Sequence, residues 1–179
     1  TTVNDILDLA TVDAGIMDLE VDEVDVAVLF ASVEQSFAGR FAEAGVELKT
    51  AVASGITNFK ADGQRLRQVI GNLISNAVNH APEGSAVNLS AKLDGSDVVI
   101  SIQDEGPGIP SDVLASVFDR FVAHGNGRRR GGAGLGLSIV KGLVELHKGS
   151  VSIQSNAESG TRVDCRFPAD PAKFRQAAE

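Results

Sequence analysis

Asn72, Asn76 and Asn79 stand four and three residues apart in DGQRLRQVIGNLISNAVNHAP. On a helix these spacings bring three carboxamides onto one stripe. A carboxamide oxygen is a neutral, hard donor, and magnesium takes few protein ligands while keeping waters and phosphate oxygens. One or two such oxygens beside a triphosphate would hold Mg²⁺ without adding repulsion between anions. A solvated helix flank would carry the same residues.

Asp104 comes next, followed by Gly106 and Gly108 in DEGPGI. A carboxylate at a strand end accepts the exocyclic amine of adenine. Guanine presents a carbonyl there and would leave the buried carboxylate unpaired. The two glycines let a flat ligand approach the backbone, although an ordinary turn also fits them. A third cluster, GGAGLGL, places Gly132, Gly134 and Gly136 before a helical pattern. Backbone N–H groups at a helix N-terminus favour an anion such as phosphate. The spacing G-x-G-x-G is not that of a dinucleotide fingerprint, and no Gly-Lys-Ser/Thr of a P-loop is present.

The elements that must position these residues follow from periodicity. The asparagines belong to the clearest helix, with Leu66, Val69, Ile70, Leu73, Ile74 and Ala77 on one face, Asp62 as N-cap and Pro82 beyond its end. Two strands, AVNLSAKL and DVVISIQD, join through Asp94-Gly95, and the second delivers Asp104. A short helix, DVLASVFDRF, leads to the aperiodic stretch VAHGNGRRRGGAG, read as a mobile lid over about 120–133. From Gly134 a helix resumes with Leu135, Ile139, Val140, Leu143 and Val144 inward, and SVSIQS and TRVDCRF form a terminal hairpin. Upstream, a helical run ends at Gly15. VDEVDVAVLF then opens a short strand and a helix to about Ala44, before the strand-like VELKTAV. This order predicts an α/β (α+β) two-layer sandwich: a mixed sheet of about five strands plus a hairpin, covered on one face by three helices.

Composition narrows the chemistry. A formal net charge of −8 over 179 residues argues against a general nucleic-acid binder. One cysteine, Cys165, forms no internal disulfide and reads as a buried strand residue. His80, His124 and His147 show no metal-ligand spacing. No apolar run approaches the ~20 residues of a membrane span, and the opening TTVNDILDLATVDAG lacks the pattern of a signal peptide. The chain reads as a fragment, because it opens within a helical pattern.

Taken in order, the boxes resemble the ATP-binding catalytic domain of bacterial sensor histidine kinases, within the ATPase group shared with gyrase, heat-shock chaperone and mismatch-repair proteins. NLISNA resembles the asparagine box, DEGPGI the first glycine box and VFDRF the phenylalanine box. GGAGLGLSIVKGLVELHKG resembles the second glycine box and ESGTRV the closing glycine-threonine element. The resemblance implies that Asn76, supported by Asn72, coordinates Mg²⁺ and forms the catalytic pair, and that Asp104 holds the adenine amine of ATP. It further implies that Gly106 and Gly108 shape the base pocket, that Gly132, Gly134, Gly136 and Leu135 border the phosphates, and that Thr161 closes the base side. Residues 1–20 resemble the end of the second helix of the dimerisation and phosphoacceptor domain, with the catalytic domain over 21–168 and a flexible tail over 169–179. None of the three histidines sits in the family's acceptor motif, so the fragment is not expected to phosphorylate itself.

Departures from the family pattern bear on function. Asn79 stands where many relatives carry a lysine, and His80 takes a position often held by an aromatic. His80 either packs at the pocket edge or contacts a phosphate. Arg120 and the cluster Arg128 to Arg130 could reach terminal phosphates, or the cluster could simply solubilise the lid. Lys148 replaces a common glycine after His147, and both read as structural. Asn72 occupies the place where the group's ATPases carry a glutamate general base, and it cannot take a proton. This favours phosphoryl transfer to a side chain over hydrolysis. The expected activity is donation of the γ-phosphate to a histidine on the dimerisation helices, for relay to a response-regulator aspartate or a phosphotransfer protein. The expected setting is a homodimer formed through upstream helices, in the bacterial cytoplasm or at the inner face of the membrane. The rival expectation is a pseudokinase that relays conformation to a partner. Some α-proteobacterial cell-cycle relatives carry tyrosine in place of the acceptor histidine.

Overall fold

The computed structural model describes residues 2–119 and 134–169. The expected lid at about 120–133, with Arg120, Gly132 and the three clustered arginines, lies outside them, as does the tail beyond Ala169. Helix α1 (Thr2–Asp13) leads to strand β1 (Asp22–Asp25), helix α2 (Val26–Ala44), strands β2 (Glu47–Val52) and β3 (Asn58–Ala61), and helix α3 (Gly63–His80). Strands β4 (Ala86–Asp94) and β5 (Asp97–Asp104), the single turn α4 (Ser111–Leu114), helix α5 (Gly136–Leu146) and strands β6 (Ser150–Asn156) and β7 (Gly160–Pro168) follow.

Capping chemistry sets the helix limits. Asp25 accepts from the Val28 N–H to open α2, and Gly45 closes it in the left-handed region at φ 64°. Asp62 accepts from the N–H groups of Gln64 and Arg65 to open α3. Seven apolar side chains of α3, from Leu66 to Val78, are buried, and each Leu, Ile or Val among them contributes about 1.5–3 kcal/mol relative to exposure.

The main sheet has the order β2-β4-β5-β7-β6. β2 runs parallel to β4, and the remaining pairs are antiparallel. Alternation along the strands turns Val87, Leu89 and Ala91, Val98, Ile100 and Ile102, and Val163, Cys165 and Phe167 into one core with α2, α3 and α5. Burial pushes the Cys165 thiol up to about 12. The opposite face is polar and carries Arg162 on Asp164 and Ser101, and Arg166 on Asp94 and Asp97.

The expected mixed sheet under three helices is therefore present. The hairpin counted beside it is the β7–β6 edge of that sheet. The second sheet is a two-stranded ribbon of β1 with β3, a strand without a sequence signal of its own. Of the helix expected over DVLASVFDRF, the described residues form helix only in α4. Residues 115–118 continue as turns, and the Ser116 hydroxyl takes the Val113 carbonyl, offering the backbone an alternative to helix. α1 lies on the rest of the molecule through Asp8, which accepts from Arg65 and Gln68 of α3, and through Val12, whose Cγ1 is 2.8 Å from where a Cβ on Gly142 would sit.

Candidate functional site

Strand alternation puts Asp104 on the helix-covered face, at the end of β5 and opposite Thr161 of β7. Only 7% exposed, its Oδ1 accepts from the N–H of Gly106 at 2.8 Å and of Thr161 at 3.3 Å. Neither bond uses Oδ2. Burial raises the pKa of this carboxyl above its ordinary value, while the two N–H groups and the nearby His80 oppose the shift. A donor delivered to Oδ2 by a ligand would favour the charged form.

The glycine loop is moulded to this carboxylate. A Cβ on Gly106 would meet Asp104 Oδ1 at 2.8 Å and the His80 carbonyl oxygen at 3.0 Å. Gly108 has φ 73° and would place a Cβ 2.4 Å from the Asn156 carbonyl oxygen, so only glycine fits. Across the loop, Ser155 Oγ accepts from the Ile109 N–H at 2.8 Å and lies 2.8 Å from Thr161 Oγ1. Ser155 thereby ties the loop to the strand that holds Asp104. It was absent from the sequence-based set, although a hairpin folded about NAESG puts Ser155 opposite Thr161.

The helical side is built differently. Asn76 is half-buried, with its carboxamide Nδ2 and Oδ1 3.8 and 4.0 Å from where a Cβ on Gly136 would sit. Asn76 thus faces the first turn of α5. Asn72 Nδ2 is buried and has no hydrogen-bond partner among the described residues, a state that costs about 1–3 kcal/mol and that a phosphate oxygen would relieve. Leu135 is buried and anchors the start of α5, its carbonyl accepting from Ile139 N–H and Ser138 Oγ. Gly134 precedes it at φ 69°. Asn79 and His80 are exposed. Asn79 Oδ1 accepts from Arg40 Nη2 at 2.8 Å, and Arg40 Nη1 donates to Ser75 Oγ at 2.7 Å.

The two helices are braced at the far end by His147, which is fully buried. Its Nδ1 lies 2.7 Å from the Leu143 carbonyl oxygen, and its Nε2 accepts from the Asp62 N–H at 3.1 Å. This pattern belongs to a neutral imidazole with the proton on Nδ1. Burial lowers its pKa below the ordinary 6.5, against the smaller opposing effects of Leu143 and Asp62. The next residue, Lys148, takes φ 59° and is the one non-glycine residue with positive φ in the described backbone.

Asp104, Gly106, Gly108, Thr161 and the His80 carbonyl thus gather beside the end of α3, while Asn76, one turn beyond Asn72, faces Gly136 next to the buried Leu135; the space between these two groups is the candidate cleft. Among the described residues no group of three His, Cys, Asp or Glu could hold a metal. The carboxamides fit Mg²⁺ shared with phosphate oxygens and water, a binding mode that needs few protein ligands. No described helix is long and apolar enough to cross a membrane.

Comparison with known proteins bears on family and fold. Residues 61–171 match the family model for histidine kinase-, DNA gyrase B- and HSP90-like ATPases. Sensor protein DivL of Caulobacter vibrioides is 38% identical over 167 residues, 93% of this chain and 21% of DivL. Full-length ShkA, solved in complex with AMPPNP, superposes with a TM-score of 0.83 at 34% identity, over 93% of this chain and 35% of ShkA. The catalytic domain of histidine kinase ThkA shares the fold at a TM-score of 0.75 and 24% identity, over 86% of this chain and all of that one. The chain spans about a fifth of DivL's length and about a third of ShkA's.

Proposed function

Since the chain belongs to the family of histidine kinase-, DNA gyrase B- and HSP90-like ATPases, we propose that it binds ATP with Mg²⁺ and donates the γ-phosphate to a histidine of a sensor kinase. From there the phosphate passes to a response-regulator aspartate or a phosphotransfer protein. The observation that carries the reading is Asp104: a buried carboxylate held on one oxygen by Gly106 and Thr161, with the other outside both bonds.

Asp104 Oδ2 accepts the adenine 6-amino group, and Thr161, fixed by Ser155, closes that side of the base. Guanine presents an acceptor in the same place and leaves the carboxylate unpaired. Asn76, supported by Asn72, would hold Mg²⁺, which neutralises charge on the phosphates when bound. The N–H groups at the start of α5, at Gly134, Leu135 and Gly136, favour phosphate oxygens. The chain's own contribution to the chemistry is positioning and donor placement. Asn72 offers no base for water, so hydrolysis is slow while an imidazole nitrogen displaces ADP from the γ-phosphorus.

The full-length protein, given γ-labelled ATP, is expected to acquire acid-labile label on a histidine. Label recovered only as free phosphate would contradict the transfer reading. A full-length protein that binds ATP but never takes up label would favour the pseudokinase.

A further inference from the structure

The described part of the cleft holds carboxamides, glycines and a carboxylate, whereas a nucleoside triphosphate brings about four negative charges, part of which bound Mg²⁺ offsets. One described cation is hydrogen-bonded to the asparagine stripe, and it comes from another helix. Arg40 of α2 reaches α3 with Nη1 on Ser75 Oγ and Nη2 on Asn79 Oδ1. Ser75 and Asn79 are four residues apart and hold the guanidinium like two prongs on one face of α3. Asn79 follows Asn76 by three residues, so the guanidinium lies beside the residue that faces Gly136.

Both prongs are neutral, and no carboxylate is paired with Arg40 in the described structure. Among the described residues its charge is therefore not cancelled by an ion pair. A guanidinium has five N–H donors, and two are used, leaving three for a ligand without breaking either tether. The arrangement is preorganised: the entropy of fixing a long side chain is already spent in contacts that do not consume its charge. A polyphosphate lying along the stripe would have the first turn of α5 on one side and Arg40 on the other.

We propose that Arg40 is a phosphate-binding residue of the site, supplying from α2 a tethered guanidinium to the β- and γ-phosphates. The proposal rests on the ATP reading given above and adds to it a residue from outside all the motif boxes.

Calorimetric titration of the chain with AMP, ADP and ATP in the presence of Mg²⁺ tests it, using Arg40→Ala and Arg40→Lys. Alanine and lysine are both good helix formers, so α2 keeps its propensity. The expected result is a loss of about tenfold in ATP and ADP affinity for Arg40→Ala, with AMP changed by less than about twofold and Arg40→Lys recovering part of the loss. Equal weakening of all three nucleotides together with a lower urea midpoint would show a structural clamp only and overturn the proposal. Unchanged affinities for all three, with wild type binding ATP, would also overturn it. Wild type that binds no adenine nucleotide would instead sink the ATP reading, and this proposal with it.

Discussion

The two ends of the cleft solve opposite problems. At the end proposed for the base, the described groups are held by the sheet: Asp104 and Thr161 are register partners on adjacent strands, and Ser155 ties the glycine loop to them. At the end proposed for the phosphates the groups hang from two helices, and one of them, Asn72 Nδ2, has no described partner. On the proposed reading, preorganisation at the Asp104 end would give selectivity, because a wrong base would leave a buried carboxylate unsatisfied. On the ATP reading proposed above, the other end would accommodate metal, water and three phosphates, and a ligand would complete it.

The largest expected effect comes from loosening the frame that holds the helices. His147→Ala leaves the buried Asp62 N–H without its acceptor and opens a cavity against Phe167, whose ring centroid is 5.7 Å away. Urea unfolding should show a loss of about 3–4 kcal/mol. The same residue sets an acid limit. Its folded pKa lies below the unfolded 6.5, so between the two only the unfolded chain takes the proton. Its contribution is complete above pH 6.5 and is lost as pH falls through the folded value. The Ala variant should lack this component of the pH dependence.

Gly108→Ala attacks the rigid end directly. The added Cβ would lie 2.4 Å from a backbone oxygen at positive φ, which costs about 3 kcal/mol. Calorimetry should show adenine-nucleotide binding lost while the helices retain their circular dichroism. Asn76→Ala tests the other end at smaller cost. Affinity for ATP in EDTA should hold, while the gain on adding Mg²⁺, about tenfold per 1.4 kcal/mol of lost coordination, should shrink. Equal damage with and without the metal would erase the contrast between the ends. The smallest effect is expected at Lys148, held at φ 59°. Lys148→Gly should stabilise the fold by about 0.5–1 kcal/mol, since a left-handed conformation costs a side chain more than the freedom glycine adds to the unfolded chain.

Both ends differ in how far the sequence exposes them. α3, its cap Asp62 and the alternation of β4 and β5 are local patterns, and with them come the asparagine stripe and the placement of Asp104. Contacts that join distant segments were not legible. β3 is four residues long and is defined by pairing with β1. Arg40 lies 39 residues before Asn79 in a helix whose other residues say nothing of the site. Ser155 falls between these cases, since the hairpin turn places it opposite Thr161 but only the fold brings the Ile109 N–H to it. His147 read as structural from its place near a turn, and the two buried hydrogen bonds give the reason.

The central claim is that Asp104 reads adenine, and the direct test is titration of wild type and Asp104→Asn with ATP and GTP across a range of pH. Wild type should prefer ATP and weaken as pH falls through the raised pKa of Asp104, because the protonated carboxyl no longer serves as a charged acceptor. Asp104→Asn should lose about tenfold to a hundredfold in ATP affinity, corresponding to about 1.5–3 kcal/mol for a charged hydrogen bond, together with that pH dependence. Equal affinity of wild type for ATP and GTP, or an Asp104→Asn variant that binds ATP as tightly as wild type, would contradict the account.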